Sequence, residues 1–449
     1  MARDRLTSAY PIRRIVKTWW PLAASWLLMA MELPSISAVV ARLDNPEINL
    51  AAWGGVVFPI ALLVEAPIIM LLAASTALSK DWASYLKIRR FMIAAGGVLT
   101  ALHLAVAFTP LFDIVVLKVI GAPSEILEPA RIGLRLMTPW TWSIAYRRFN
   151  QGVLIRLGHS DAVGIGTFIR LMADLAVLGT GLLLKQFPGT MVAGTAVALG
   201  VVCEAVYAGI RVRPVLQREL RFAPAVQPAM GWRQFYEFYI PLAMTSLITL
   251  LINPLGSAAI SRMPQALGSL AVWPVVSGLV FMLRSMGVAY NEVVVALLDE
   301  PGASASLRRF AWILAGTSTT VMVLLAASPL ASFWFLTFSA LEPELADLAR
   351  TAVWFALPLP AMNVAQSWLQ GVLLNAKTTR PITEAVVVFI IVSSMCFLAG
   401  VLWSGTPGLY IGWLAFSLGG IAQSIWLWKR SRTAILALNE NQEEIIPQQ

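Results

Sequence analysis

Long apolar runs separated by short clusters of charge, proline or glycine make up most of the chain. Twelve are long enough to cross a hydrocarbon layer of about 30 Å as helices. They fall at 19–42, 50–77, 91–111, 129–155, 161–184, 190–210, 236–261, 266–298, 310–336, 350–374, 382–404 and 407–428. Several exceed the roughly 20 residues a span needs, which predicts tilting or kinking. The connections are too short to hold a folded soluble domain. The longest, 211–235, is basic, contains Pro214, Pro224 and Pro228, and reads as a linker.

The pattern is also written twice. At an offset of 220, Pro21-Leu22-Ala23 returns as Pro241-Leu242-Ala243, Pro34 as Pro254, Arg42 as Arg262, and Leu50-Ala51 with Trp53 as Leu270-Ala271 with Trp273. At an offset of 219, Ala130-Arg131 matches Ala349-Arg350, Pro139 matches Pro358, and Gln151-Gly152-Val153-Leu154 matches Gln370-Gly371-Val372-Leu373. The expected fold is an all-α polytopic membrane protein, with twelve transmembrane helices in two pseudo-symmetric six-helix lobes. The lobes are expected at 1–210 and 236–432, with a linker at 211–235 and a polar tail at 433–449. In so apolar a chain, an internal repeat is the mark of a transporter whose halves move about a shared midplane site.

Composition agrees: 58% of residues are apolar and 13% charged, and the net charge is +9. Placing both termini in the cytoplasm puts most cations inside, among them Arg3, Arg5, Arg13, Arg14 and Lys17; Lys80, Lys87, Arg89 and Arg90; Arg308 and Arg309; and Lys377 and Arg380. The positive balance is therefore a topology signal for an inner or plasma membrane, and argues against a nucleic-acid partner. The first apolar stretch outruns a signal-peptide core and reads as a retained span. Cys203 and Cys396 both fall in expected helices, so neither a disulfide framework nor a thiol metal site is supported. Nothing suggests a catalytic group, a metal or a cofactor, and the chain is not expected to be an enzyme.

Charge inside a span costs several kcal/mol unless it is paired or hydrated, so each such residue is a functional candidate. Glu32, Glu65, Arg147, Arg148, Arg170, Asp174, Glu204, Arg284 and Glu292 qualify. Asn363, Gln366 and Gln370 share one face of the tenth span, and their repeat mates are Ile144, Arg147 and Gln151. Arg147 is therefore expected to face a central cavity, and Arg148, about 100° further round, a neighbouring helix or the interface. Arg170 and Asp174 stand one turn apart and can neutralise each other. Arg284 shares a face with Asn291 or Glu292. Glu32 lies two residues before Pro34, whose missing N–H opens the helix locally. Its mate position offers Asn253 before Pro254 and no acid. Glu32, Glu65 and Asp174 are the candidates for ion coupling, with Pro34 and Pro254 as kinks. Arg147, Arg170, Asn253, Arg284 and Gln366 are the candidates for cargo. His103 reads as a satisfied interior histidine.

These features resemble the multidrug and toxic compound extrusion (MATE) proteins and their wider superfamily of exporters and flippases. The likeness rests on Pro21-Leu22-Ala23 and Leu50-Ala51-Ala52, their echoes from Pro241 and Leu270, and Gln151-Gly152 with Gln370-Gly371. Leu50-Ala51-Ala52-Trp53-Gly54, Gly152-Val153-Leu154-Ile155 with His159-Ser160, and Ala259-Ile260-Ser261-Arg262 are similar to the progressive ankylosis branch. The resemblance implies export of small molecules: cationic drugs against H⁺ or Na⁺ in the extrusion branch, anions such as nucleotides, pyrophosphate and citrate in the ankylosis branch. Glu32 sits earlier in its helix than the usual extrusion carboxylate. Three intramembrane arginines tilt the expectation toward an anionic metabolite, carried by a monomer in the lipid bilayer.

Overall fold

The computed structural model describes residues 10–376 and 378–444. Arg3, Arg5, Lys377 and the last five residues of the tail lie outside the described residues. Among the described residues twelve long helical stretches follow one another, with short helical turns between some of them: α1 (Ile12–Val40), α2 (Pro46–Leu78), α3 (Trp82–Phe108), α4 (Leu127–Leu136 and Thr138–Arg156), α5 (Asp161–Leu184), α6 (Gly189–Phe222), α7 (Trp232–Ile260), α8 (Ala266–Leu297), α9 (Ala303–Ala327), α10 (Pro343–Ala356 and Leu359–Asn375), α11 (Arg380–Trp403) and α12 (Gly408–Leu436). Among the described residues ten of these are long and apolar enough to cross a membrane, and no strand forms. The other two, α4 and α10, are broken next to Pro139 and at Pro358, where the ring removes a backbone donor and strains the preceding turn.

Three boundaries differ from the apolar pattern. The helix of α6 continues to Arg218 and α7 begins at Trp232, so the linker is shorter than 211–235. Arginine is a good helix former whatever its charge, and the chain leaves the helix only ahead of Pro224 and Pro228. The apolar run 310–336 joins two elements, because α9 stops at Ala327 and Ser328 is extended before Pro329. The tail, expected to be polar and separate from 433, instead prolongs the last helix to Glu444.

The duplication reappears in backbone angles. Lys185 (φ 50°) and Ser404 (φ 48°) end α5 and α11 in the left-handed region, 219 residues apart. Asn45 (φ 50°) and Gln265 (φ 53°) precede α2 and α8 at the offset of 220. Side chains are strained there by roughly 1–2 kcal/mol per residue, so their recurrence reports a repeated chain path rather than chance. The turns after α3 and α9 also match. Thr109 Oγ1 accepts from Leu111 N at 3.3 Å, and Ser328 Oγ accepts from Leu330 N at 3.2 Å.

Packing divides the molecule into two compact units that do not follow chain order. Residues 1–34 join 275–449 in one, and 35–274 form the other. The first helix of each half thus packs with the other half. In the unit of 35–274, Tyr239 of α7 meets Phe91 of α3 edge-on at 4.7 Å, and its hydroxyl donates to Pro67 O of α2 at 2.5 Å. In the other unit, Trp19 of α1 meets Phe310 of α9 edge-on at 5.5 Å, and its Nε1 donates to Met286 O of α8 at 3.0 Å. Trp19 and Tyr239 are repeat mates, as are Phe91 and Phe310. Each aromatic fits an edge-to-face neighbour, and each polar tip finds the acceptor that a lipid-zone donor requires.

The chain passes between the units within α1, after Pro34, and within α8, after Pro274. Helix α1 is interrupted at Met31, one turn before Pro34, whose ring offers no N–H to Ala30 O. Helix α7 runs through Pro254 without interruption. Close helix approach is repeated as well: Gly152 of α4 leaves no room for a Cβ against Ser75 and Leu72 of α2, nor does Gly371 of α10 against Val294 of α8. In lipid, where helices gain little from leaving water, such contact is what holds them together.

Candidate functional site

The unit of 35–274 buries an ionic cluster. Glu65 of α2, Arg147 and Gln151 of α4, Asp174 of α5 and Glu204 of α6 are each at most 4% exposed. Arg148 and Arg170 lie half-buried. Arg147 Nη1 donates to Glu204 Oε2, and Gln151 Nε2 donates to Glu204 Oε1 at 2.8 Å. Arg147 and Gln151 are one turn apart on the same face, so a single carboxylate on α6 takes both. Arg170 Nε stands 3.8 Å from Asp174 Oδ2. The Asp174 carboxylate occupies the space above Gly200 of α6, where any side chain would strike it.

Glu65 is buried in the same unit and makes no ion pair with either of these among the described residues. Arg148, Arg147 and Arg170, in that order, act on its charge. Glu65 Oε2, Arg147 Nε, Arg148 Nε and Gln151 Oε1 have no hydrogen-bond partner among the described residues. Three arginines and three carboxylates leave the cluster formally neutral, which offsets most of the cost of burying charge. The unpartnered atoms cost about 1–3 kcal/mol each if left dry. Such a network has spare donors for an anion and a carboxylate able to take a proton.

The other candidates are placed differently. Asn253 belongs to the same unit, but its amide donates within its own helix, to Leu250 O at 3.2 Å. In the unit of 1–34 and 275–449, Gln366 is buried and donates to Gly420 O at 3.2 Å and Ser424 Oγ at 3.0 Å, both on α12. Arg284 is half-buried, and its Nε has no hydrogen-bond partner among the described residues. Glu32 is half-buried in the first turn after the break in α1, where helix N–H groups favour a carboxylate. Glu292, expected beside Arg284, is exposed and accepts from Trp26 Nε1 at 3.0 Å. Both ring nitrogens of His103 are occupied, by Thr141 Oγ1 at 2.7 Å and Leu134 O at 3.0 Å.

No family model and no curated protein matches the sequence. Solved structures do match in shape. An inward-facing multidrug resistance MATE family transporter of the MOP superfamily superposes with a TM-score of 0.67 at 15% identity, over 93% of this chain and 99% of that one. The chain has the MATE fold. A second MOP superfamily transporter, from Pyrococcus furiosus, gives 0.65 at 15% identity over 97% of this chain and 98% of that one. The lipid II flippase MurJ in an inward closed conformation gives 0.60 at 12% identity, over 93% and 90%.

Within this MATE fold, four of the eight residues proposed from sequence for coupling and cargo share one cluster: Glu65, Arg147, Arg170 and Asp174. Two members were candidates by charge alone and were given no role. Glu204 has no charged residue one turn away in its helix, so nothing close by singled it out. Arg148 was expected to face a neighbouring helix or the interface and was given no role in the site, and the charges of Arg147, Glu65, Glu204 and Arg170 act on it. The sequence signal for both was the presence of a charge in a span.

Proposed function

We propose that the chain is a secondary transporter working by alternating access, which exports a small organic anion or metabolite coupled to H⁺. The observation that carries this reading is the buried cluster in the unit of 35–274, where three arginines are balanced by three carboxylates within membrane helices. Arginine is the side chain best suited to bind carboxylate or phosphate groups in place of water. In this proposal Arg147 and Arg170, with Asn253, contact cargo in the unit of 35–274, Arg284 and Gln366 do so in the other unit, and Glu32, Glu65 and Asp174 exchange the proton. Pro34 and Pro254 are the points of bending. The protein acts as a monomer in the inner or plasma membrane with both termini cytoplasmic. The similarity in fold to a MOP transporter whose binding pocket of reverse polarity is described as suggesting a different function is compatible with this reading.

A cation-coupled multidrug efflux antiporter is the second reading, favoured by the shape match to a multidrug resistance MATE. A flippase for lipid-linked precursors is the third, favoured by the match to MurJ. Purified protein in liposomes loaded with citrate, a nucleotide or a cationic dye separates them. The proposal expects pH-dependent release of an anion and retention of the dye. Dye release without anion release supports efflux instead. Glu32→Gln is expected to flatten the pH profile, and an unchanged profile removes Glu32 from coupling.

A further inference from the structure

An exposed face of α9 carries two open grooves that share Trp312, the second bounded also by Ala361 of α10. The first, about 740 Å³, is lined by Ala305, Arg308, Arg309 and Trp312; the second, about 490 Å³, continues past Gly316 and Thr319 to Leu324 and is almost wholly apolar. Arg308 and Arg309 are exposed and form no ion pair among the described residues. Trp312 is 75% exposed. A Cβ on Gly316 would meet nothing within 4 Å, so the floor of the second groove is open. Thr319 Oγ1, beside it, is buried without a hydrogen-bond partner among the described residues.

From Arg308 to Leu324 the groove runs about 24 Å along the helix at ~1.5 Å per residue. One bilayer leaflet with its headgroup layer is about 20–22 Å deep. The cationic end lies at the start of a spanning helix, at the side where the charge pattern places the cytoplasm. The other half repeats the motif: Arg89-Arg90-Phe91 stands 219 residues before Arg308-Arg309-Phe310, and Gly97, the mate of Gly316, is equally open.

We propose that this groove on α9 binds one anionic phospholipid, its phosphate held by Arg308 and Arg309 and one acyl chain lying beside Trp312 and over Gly316. An aqueous anion would use the arginines but leave the apolar channel empty; a zwitterionic lipid would fill the channel but forgo the net charge. The proposal depends on α9 spanning a bilayer and not on the nature of any cargo.

Native mass spectrometry of the purified full chain tests it, using phosphatidylglycerol and phosphatidylcholine of matched acyl chains. Phosphatidylglycerol is expected to form the persistent adduct. Arg308→Gln with Arg309→Gln is expected to weaken it roughly thirtyfold, the weight of two arginines at an anionic surface. Gly316→Leu blocks the channel without altering charge and is expected to remove the same adduct, whereas Arg156→Gln with Arg218→Gln, two charges removed elsewhere, leaves it. Soluble glycerol 3-phosphate is expected not to displace the lipid. Equal retention of the two lipids, survival of the preference in both groove variants, or displacement by glycerol 3-phosphate would each overturn the proposal.

Discussion

Arg147 Nη1 donates to Glu204 between α4 and α6, and its repeat mate Gln366 donates instead to the hydroxyl of Ser424 between α10 and α12. The same contact is ionic in one half and neutral in the other. In the second half the corresponding helices are joined at this position by a neutral contact. Glu204→Gln leaves the Arg147 guanidinium buried without its counter-ion and is expected to cost about 3–5 kcal/mol. Arg147→Gln with Glu204→Ser, which copies the second half, is expected to recover most of that loss. Thermal unfolding in detergent measures both. A double variant no better than the single one would mean that the pair is needed for folding itself.

Gly200 keeps room for the Asp174 carboxylate, which a Cβ at that position would strike. Gly200→Ala is expected to displace Asp174 and lower stability by about 1–3 kcal/mol through overpacking. At Gly97, where nothing lies within 4 Å, the same substitution is expected to be neutral or slightly stabilising. Unfolding midpoints of the two variants make the comparison, and equal shifts would remove any special role for the space above Gly200.

Asp81 caps α3 by accepting from Ser84 N at 2.8 Å, and its other oxygen accepts from Val226 N in the linker at 2.8 Å. Burial alone would raise its pKa, but these hydrogen bonds outweigh burial and hold it below the ordinary 3.8. Its contribution is therefore fully present above that value and is lost as pH falls through the lower folded-state value. Protection of the Val226 amide against hydrogen exchange is expected to persist at neutral pH and weaken only in acid. In Asp81→Asn, which loses about 1 kcal/mol of cap and anchor, protection is expected to be low even at neutral pH.

The exchange of first helices yields a geometric prediction. With Cys203 and Cys396 replaced by serine, cysteines at 19 and 310 should be joined by a short bifunctional reagent, as should cysteines at 239 and 91. Packing in chain order would leave both pairs unlinked. The crosslinked fraction on a denaturing gel decides between them.

What the sequence made legible was whatever is written locally. The offsets of 219 and 220 survive in Lys185 and Ser404 and in Asn45 and Gln265, because each left-handed position depends on its own few neighbours. The interruption before Pro34 follows from one missing N–H. The helix exchange was not legible: periodicity reports that Trp19 is apolar and at a span end, not that its ring lies on Phe310. For the same reason the cluster was read only in part. Arg147 and Gln151 advertise a shared face on one helix, whereas Glu204 becomes their partner only once α6 is laid against α4. Gln366 shows the converse. A polar face predicted it near Asn363 and Gln370, but its amide is taken up by α12.

The central claim is that arginines within the membrane helices recognise an anionic cargo. Isothermal titration of citrate into the purified protein, with wild type compared against Arg170→Gln and Arg284→Gln, measures this most directly. Loss of one charge-assisted contact is worth about 1.5–3 kcal/mol, so each variant is expected to bind at least about tenfold more weakly, with both still folded. Unchanged citrate affinity in both variants, or binding of a cationic dye in place of citrate, would contradict the account.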